Sequence, residues 1–356
     1  MIPQEPNVDM DGDGRSDFVV LRESGAALNT TGVTRIHQGA FSQRERRQIR
    51  KEMELKGEPL FQRSVGTDVV TWWTKSSSTG LTAGAAWGDF ATDTFVSADF
   101  DGDNRDDLIY WRSDPDPAVS GFYWINSLTS TFGFDAFGGE GDDPTVVGDY
   151  DGDSIDDRAV FRCDVSVPGP CYYFFRSSAN PSESFNYSPW GYGVLDDFFP
   201  CPGDYDGDTK MDLCVQRVDP NNANYAQYVF RRSSDGGAEY VSWGSVFDFI
   251  VPGDYDADGR SDFCARRNIG GVYYHFILER DGGGTGAAGI PWGGTNGAAP
   301  DDISVPGDYD GDDRTDIAIY RPTDGVFWVR HSIDGSIRAE SWGGVLDYPL
   351  ANWNVR

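Results

Sequence analysis

Three markers, each present six times, predict an all-β chain folded as a six-bladed β-propeller of four-stranded antiparallel blades. The first is an Asp-x-Asp-x-Asp-x-x-x-Asp segment that begins at Asp9, Asp99, Asp149, Asp204, Asp254 and Asp308. The second is an arginine at a constant offset behind it: Arg22, Arg112, Arg162, Arg217, Arg267 and Arg321. The third is an aromatic–glycine pair: Trp87-Gly88, Phe137-Gly138, Trp190-Gly191, Trp243-Gly244, Trp292-Gly293 and Trp342-Gly343. The repeat of about 50 residues is the length of a propeller blade. With 44 glycines, 14% aromatic residues and no long apolar run, the composition suits short strands joined by tight turns and excludes a membrane-spanning helix.

Each unit supplies four strands in order. A short apolar stretch such as FIVPGDY or ISVPGDY leads into the Asp loop, and an apolar strand ending in the arginine follows, from DFVVLR near Phe18 to DIAIYR near Ile317. An aromatic third strand comes next (TWWTK, GFYWIN, CYYFFR, AQYVFR, VYYHFI, VFWVR), and the aromatic–glycine pair closes the fourth. The chain starts almost at an Asp loop and ends on a segment of the first-strand type at 348–353. A C-terminal strand near 346–353 is therefore expected to complete the first blade, which makes 1–356 a single domain.

The first two loops lie 90 residues apart, the others 50 to 55. The excess is an insertion at 35–63, within which 42–56 (SQRERRQIRKEMELK) has helix-forming composition, no strand alternation and a basic character. It is read as a helical insertion in the first blade. A degenerate seventh blade is the rival reading, but the stretch carries neither Asp loop nor aromatic–glycine pair.

The 58 acidic and 29 basic residues give a net charge of −29. Four Asp in each of six loops account for much of it, so the charge is concentrated where divalent cations can neutralise it. Six such ions would add twelve positive charges and leave −17. That surface still repels phosphate backbones, and nucleic acid is not an expected partner.

Three carboxylates at alternate positions of a tight turn point at one centre, and Ca²⁺ takes six to eight oxygen ligands in flexible geometry. The expected ligands of the first loop are Asp9, Asp11, Asp13, the carbonyl of Arg15, and Asp17. The corresponding sets are Asp99, Asp101, Asp103, Arg105 and Asp107; Asp149, Asp151, Asp153, Ile155 and Asp157; and Asp204, Asp206, Asp208, Lys210 and Asp212. The last two are Asp254, Asp256, Asp258, Arg260 and Asp262, and Asp308, Asp310, Asp312, Arg314 and Asp316. About six Ca²⁺, one per blade, are thus expected as structural pins. Magnesium suits these loops less, because it demands rigid octahedral geometry and keeps its waters.

GDYDGDDRTDIAIYRP around Asp308, together with its sibling loops and the aromatic–glycine pairs, resembles the FG-GAP and VCBS repeats of integrin-α-like propellers. The resemblance covers nearly the whole chain apart from the insertion. It implies a calcium-stabilised propeller used outside the cell for adhesion or for binding a glycan or protein, with the four Asp of each loop as metal ligands. It names no ligand.

Cys163 and Cys171 flank a Pro-Gly-Pro turn, and Cys201 and Cys214 lie either side of one Asp loop, so both pairs are candidate disulfides. Small buried hydrophobes are the alternative for each. Cys264 occupies the repeat position of Cys214 and is expected to be free. Disulfides and calcium together suggest a secreted or surface protein. The segment 1–10 has no basic stretch followed by an apolar core, so no signal peptide is visible and the chain is expected to begin after one.

Motifs for catalysis are missing: there is no His-Glu-x-x-His, Gly-x-Ser-x-Gly or phosphate loop. His37, His275 and His331 are the only histidines, and the latter two fall in aromatic strands where a core role is the default. A binding module for a glycan or extracellular protein is the favoured reading. A polysaccharide-degrading enzyme, or a purely structural surface module, is the alternative. The recurring arginine points to a shared structural role, pairing with a neighbouring carboxylate or strand carbonyl. The tryptophans are read as packing between blades rather than as a sugar platform.

In a four-stranded meander the Asp loops share one face with the third-to-fourth turns. The opposite face carries the connections that vary: SDPDPAVSG, the segment between Cys163 and Cys171, VDPNNANYA and the insertion. Specificity commonly resides in such loops. The ligand is therefore expected on that face, with Arg44, Arg46, Arg47 and Arg50 offering a basic patch.

Overall fold

The computed structural model describes residues 8–23, 69–90, 92–163, 168–180, 182, 184–193, 199–295, 301–344 and 347–351. Six antiparallel sheets account for all its strands, and among the described residues there is no helix. The first blade orders Tyr348–Pro349, Phe18–Glu23, Val69–Lys75 and Thr82–Asp89, so a strand from the end of the chain closes the ring, with Val20 opposite Pro349 and Leu21 opposite Tyr348. The second blade is Asp93–Ala98, Asp107–Arg112, Gly121–Ile125 and Phe132–Ala136. In the third, Arg158–Arg162, Gly169–Arg176 and Asn186–Gly193 are joined by a bridge from Asp143 to Phe161 where the innermost strand would run.

The fourth blade holds Phe199–Pro200, Leu213–Asp219, Asn222–Arg231 and Ala238–Ser245, and the fifth Phe249–Ile250, Phe263–Ile269, Val272–Leu278 and Ile290–Gly294. The sixth is Ile303–Ser304, Ile317–Arg321, Val326–Arg330 and Ile337–Ser341. Innermost strands are two residues long in four blades because Pro202, Pro252 and Pro306, and Pro349 itself, have no N–H to extend the ladder.

Second strands are apolar on both faces because each face meets a neighbouring blade. Phe18 and Val20 of the first blade share a core with Tyr309, Tyr320 and Phe327 of the sixth, and Phe18 stacks on Tyr309 at 5.1 Å. Phe263 of the fifth blade packs in the same way among Tyr205, Tyr228 and Phe230 of the fourth. The core is thus a series of interblade layers. The blade-closing tryptophans belong to these layers: the indole N–H of Trp190, Trp243, Trp292 and Trp342 donates to the carbonyl of Val229, Phe276, Trp328 and Trp73, each on the third strand of the next blade.

At the blade ends away from the Asp loops, five of the six recurring arginines clamp the strand to the fourth-to-first connection. Arg22, Arg112, Arg162, Arg267 and Arg321 bind Asp347, Asp93, Asp142, Asp248 and Asp302 through two parallel hydrogen bonds of 2.6–3.0 Å. Arg217 instead donates twice to Oε1 of Gln227.

Of the two candidate disulfides one is formed. Cys163 and Cys171 are disulfide-bonded. Cys201 and Cys214 are not: they are free thiols with sulfurs 3.1 Å apart, directly opposed on hydrogen-bonded strands and buried with Tyr205 and Phe230 as small apolar groups. Cys264 is also free and buried. VDPNNANYA forms a tight hairpin, because the flanking strands run to Asp219 and from Asn222, and Asp219 Oδ1 accepts from the N–H of Asn221 in the turn. The insertion at 35–63, with the helix expected at 42–56 and with Arg44, Arg46, Arg47 and Arg50, lies outside the described residues. So does His37.

Candidate metal sites in the Asp loops

All six Asp loops share one backbone. Their fourth and sixth positions are left-handed: Gly12 and Gly14, Gly102 and Asn104, Gly152 and Ser154, Gly207 and Thr209, Ala257 and Gly259, Gly311 and Asp313 all have φ between 60° and 83°. Glycine at the fourth position answers a second need besides φ. The seventh residue of the next loop lies across it, so a Cβ on Gly12 would stand 3.0 Å from Arg105, and one on Gly311 only 2.6 Å from Arg15. Five non-glycine residues hold this conformation, a cost of roughly 1–3 kcal/mol each that the surrounding bonds must offset.

Those bonds separate the four Asp into two classes. In the first loop, Oδ1 of Asp9 accepts from the N–H of Gly12 and Asp13, and Oδ2 from Gly14. Asp17, the fourth, takes the N–H of Met10 on Oδ2 and that of Ser77 on Oδ1. The same pair recurs for Asp107 with Phe100 and Ser127, Asp157 with Tyr150 and Ser178, Asp212 with Tyr205 and Ser233, Asp262 with Tyr255 and Arg280, and Asp316 with Tyr309 and Ser332. First and fourth Asp therefore build the loop and tie it to the third-to-fourth turn. Carboxylate oxygens carry two lone pairs, so each retains acceptor capacity.

The third and fifth positions stand at the rim. Buried oxygens with no hydrogen-bond partner occur here in four loops: Asp11 Oδ1, Asp103 Oδ2, Asp206 Oδ1, Asp310 Oδ1 and Asp312 Oδ2. Donor oxygens of Asp9, Asp11 and Asp13, of Asp99, Asp101 and Asp103, of Asp149, Asp151 and Asp157, and of Asp204, Asp206 and Asp212 all lie within 4.8 Å of one another. Oxygens bound about 2.4 Å from one Ca²⁺ are at most ~4.8 Å apart, so these sets fit a single calcium ion.

Electrostatics point the same way. Asp17, Asp107, Asp157 and Asp212 are pushed up to about 7 and Asp262 to about 8, chiefly by burial, with the other loop carboxylates adding to it. Crowded, desolvated carboxylates of this kind resist ionisation unless a cation is supplied.

Neighbouring loops are joined around the whole ring. The N–H of the eighth residue donates to the carbonyl of the first Asp one blade back: Asp106 to Asp9, Asp156 to Asp99, Met211 to Asp149, Ser261 to Asp204, Thr315 to Asp254 and, closing the circle, Ser16 to Asp308, at 2.5–2.8 Å. Tyrosines at the second position brace four loops from behind, Tyr150, Tyr205, Tyr255 and Tyr309 donating to the carbonyls of Val146, Cys201, Val251 and Val305.

Nothing in the linear motif marks the turn after the third strand, yet it roofs every loop. His331 is the clearest case. It leaves the expected core position and places Nδ1 2.9 Å from Asp316 and 3.0 Å from Asp310. His275, by contrast, is a core residue, its pKa lowered to about 3 by burial and then by Arg266. The carbonyls of the seventh residues enter no described hydrogen-bond pattern of the loops, whereas their N–H groups bond the fifth Asp, as from Arg15 to Asp13 and Arg314 to Asp312. Compared with protein-family models and with curated proteins, the chain matches none.

Proposed function

We propose that this chain is a calcium-loaded β-propeller that works outside the cell as a non-catalytic binding module for a glycan or protein. The observation that carries the metal half of the reading is the set of buried, partnerless carboxylate oxygens converging in the loops. The FG-GAP and VCBS resemblance of the loops agrees with it, and the Cys163–Cys171 disulfide suits an oxidising compartment. The binding half rests on the blade ends away from the loops, where the connections differ between blades and carry exposed apolar side chains such as Val119, Tyr225, Phe247, Ile269 and Val272; Leu81, Leu128 and Ile333 are exposed on the turns at the loop end as well, so it is the variation that favours the face away from the loops. A rigid ring with differing apolar tips is a surface suited to recognition.

A cation that binds only the folded chain stabilises it by about 2.7 kcal/mol per site at a hundredfold excess over Kd. Removing calcium should therefore lower the melting temperature by more than about 10 °C. An unchanged melting curve, with no metal found by elemental analysis, overturns the calcium reading. Glycan and protein arrays probed with the calcium-loaded chain address the ligand; turnover of an acidic polysaccharide instead of simple binding would make the chain an enzyme.

A further inference from the structure

The residue that follows the third strand at the edge of each loop differs in every blade but two: Ser76, Asn126, Ser177, Arg232, Glu279 and His331. Only the sixth brings a nitrogen ligand to the carboxylates. His331 opens a turn that is closed by its own N–H to Ser336 and by Gly335 N–H to its carbonyl, so its backbone is fixed. Its side chain is 11% exposed and lies against two loop carboxylates at once, Asp310 and Asp316. Beside it, Asp310 Oδ1 and Asp312 Oδ2 are buried and have no partner.

This donor set is chemically different from the other five. Calcium is a hard ion that takes oxygen ligands, whereas imidazole suits zinc and its first-row neighbours. His331 Nδ1 lies at hydrogen-bond distance from carboxylate oxygens of Asp316 and Asp310, 2.9 and 3.0 Å, so the three groups already face one another, and their donor atoms all lie within 4.8 Å of one another, close enough to share one ion.

We propose that the sixth loop is a mixed nitrogen–oxygen site that binds a first-row transition dication of the zinc class through His331, Asp310 and Asp316, with Asp312 at its rim, while the other loops take calcium. The inference rests on the reading of the loops as cation sites. The propeller would then carry two kinds of metal in one ring.

The test is elemental analysis of the full chain dialysed against millimolar Ca²⁺ with micromolar Zn²⁺, alongside His331→Asn, which installs the asparagine of the second loop. One zinc per chain, lost in the variant with a calcium gained in its place, is the expected result. Co²⁺ as a spectroscopic stand-in should give a visible absorption band of one equivalent. Its affinity should drop at least tenfold in the variant, the low end of what removing even an outer partner of a metal ligand costs. Melting curves of His331→Asn and of a second variant, His331→Ser, control for folding. Zinc absent from the wild type, or retained equally by a folded variant, overturns the proposal. Calcium present without zinc leaves the calcium reading standing and removes this one; zinc present without calcium does the reverse. A protonated His331 serving as the loop's own counter-ion would appear as no metal in the sixth loop, and also overturns it.

Discussion

The two ends of the blades are held by different means. At the loop end, six segments repeat one set of backbone hydrogen bonds, from the first Asp to its own turn and from the fourth Asp to the roof, and are linked in a closed circle. At the other end the arginine clamp recurs in five blades, but it fixes only the ends of two elements. The connections beyond it are free to be the two-residue Gly270-Gly271 turn, the disulfide-bridged segment behind Cys163, or the eight residues that follow Arg112. A repeated loop whose carboxylates converge on one centre tolerates no change of length, whereas a clamp made of side chains leaves the chain between its jaws unconstrained. Uniformity marks the end whose main-chain hydrogen bonds link blade to blade, and variation the end held by side-chain clamps.

The largest single-residue effect should come from the fourth Asp. Asp212→Ala in the calcium-loaded chain strips the acceptors from the buried N–H of Tyr205 and the part-buried N–H of Ser233. A loss of about 3–5 kcal/mol in urea unfolding is expected. Asp208→Ala at the rim of the same loop should cost clearly less, about 1–2 kcal/mol. Equal losses would erase the distinction between loop-building and rim carboxylates.

The clamp end gives smaller changes. Arg267→Met leaves the buried Asp248 without its partner. Breaking a fully buried pair costs about 3–5 kcal/mol, but Arg267 is 40% exposed, and screening reduces the expected loss to about 1–2 kcal/mol. Arg217→Met, which loses the hydrogen bonds to the uncharged Gln227 and the contact over the Tyr240 ring but leaves no carboxylate unpaired, should cost about 1 kcal/mol or less.

The pH response should also divide by metal content. In the metal-free chain Asp17, Asp107, Asp157, Asp212 and Asp262, raised by burial from 3.8 to about 7 or 8, keep their protons in the folded state beyond the pH at which the unfolded chain releases them. Their contribution is present in full below pH 3.8 and lost as pH rises through about 7–8. Melting temperature without metal should therefore fall across that window, while saturating calcium, which favours the ionised form, should flatten or reverse the trend. A fall of the same size with calcium bound would place these carboxylates outside the cation sites.

The smallest expected effect is a gain. Ala257 holds φ at 60° where the five sibling loops have glycine at 77–82°. Ala257→Gly should relieve this strain and stabilise the chain by about 0.5–1 kcal/mol.

The blade count and the clustering of carboxylates in each loop were legible because loop, arginine and aromatic–glycine pair each recur at fixed spacing. The partners of the arginines were legible only as a class, since Asp93, Asp142, Asp248 and Asp302 stand six or seven residues before the next loop and break the register. The roof over each loop left no trace, because its conserved act is a main-chain N–H donation that any residue from Ser77 to Arg280 can perform. His331 was hidden for the same reason: its sequence neighbours form an aromatic strand, and only the turn of the chain brings it over Asp310. The extent of the hairpin around Asp219 to Asn222 was not legible, because proline and asparagine mark a turn without stating how far the strands beside it extend.

Hydrogen exchange measured along the chain, with calcium bound and after its removal, tests the division of labour most directly. Amides that donate within the Asp loops and from their roofs, such as those of Gly12, Gly14, Ser77, Gly207 and Ser233, should lose protection when calcium is withdrawn, with the linked circle opening as a unit. Amides at the clamp end, on the fourth-to-first connections and the far ends of the second strands, should keep most of theirs. Protection that falls equally at both ends, or that does not change at the loops, would contradict the account.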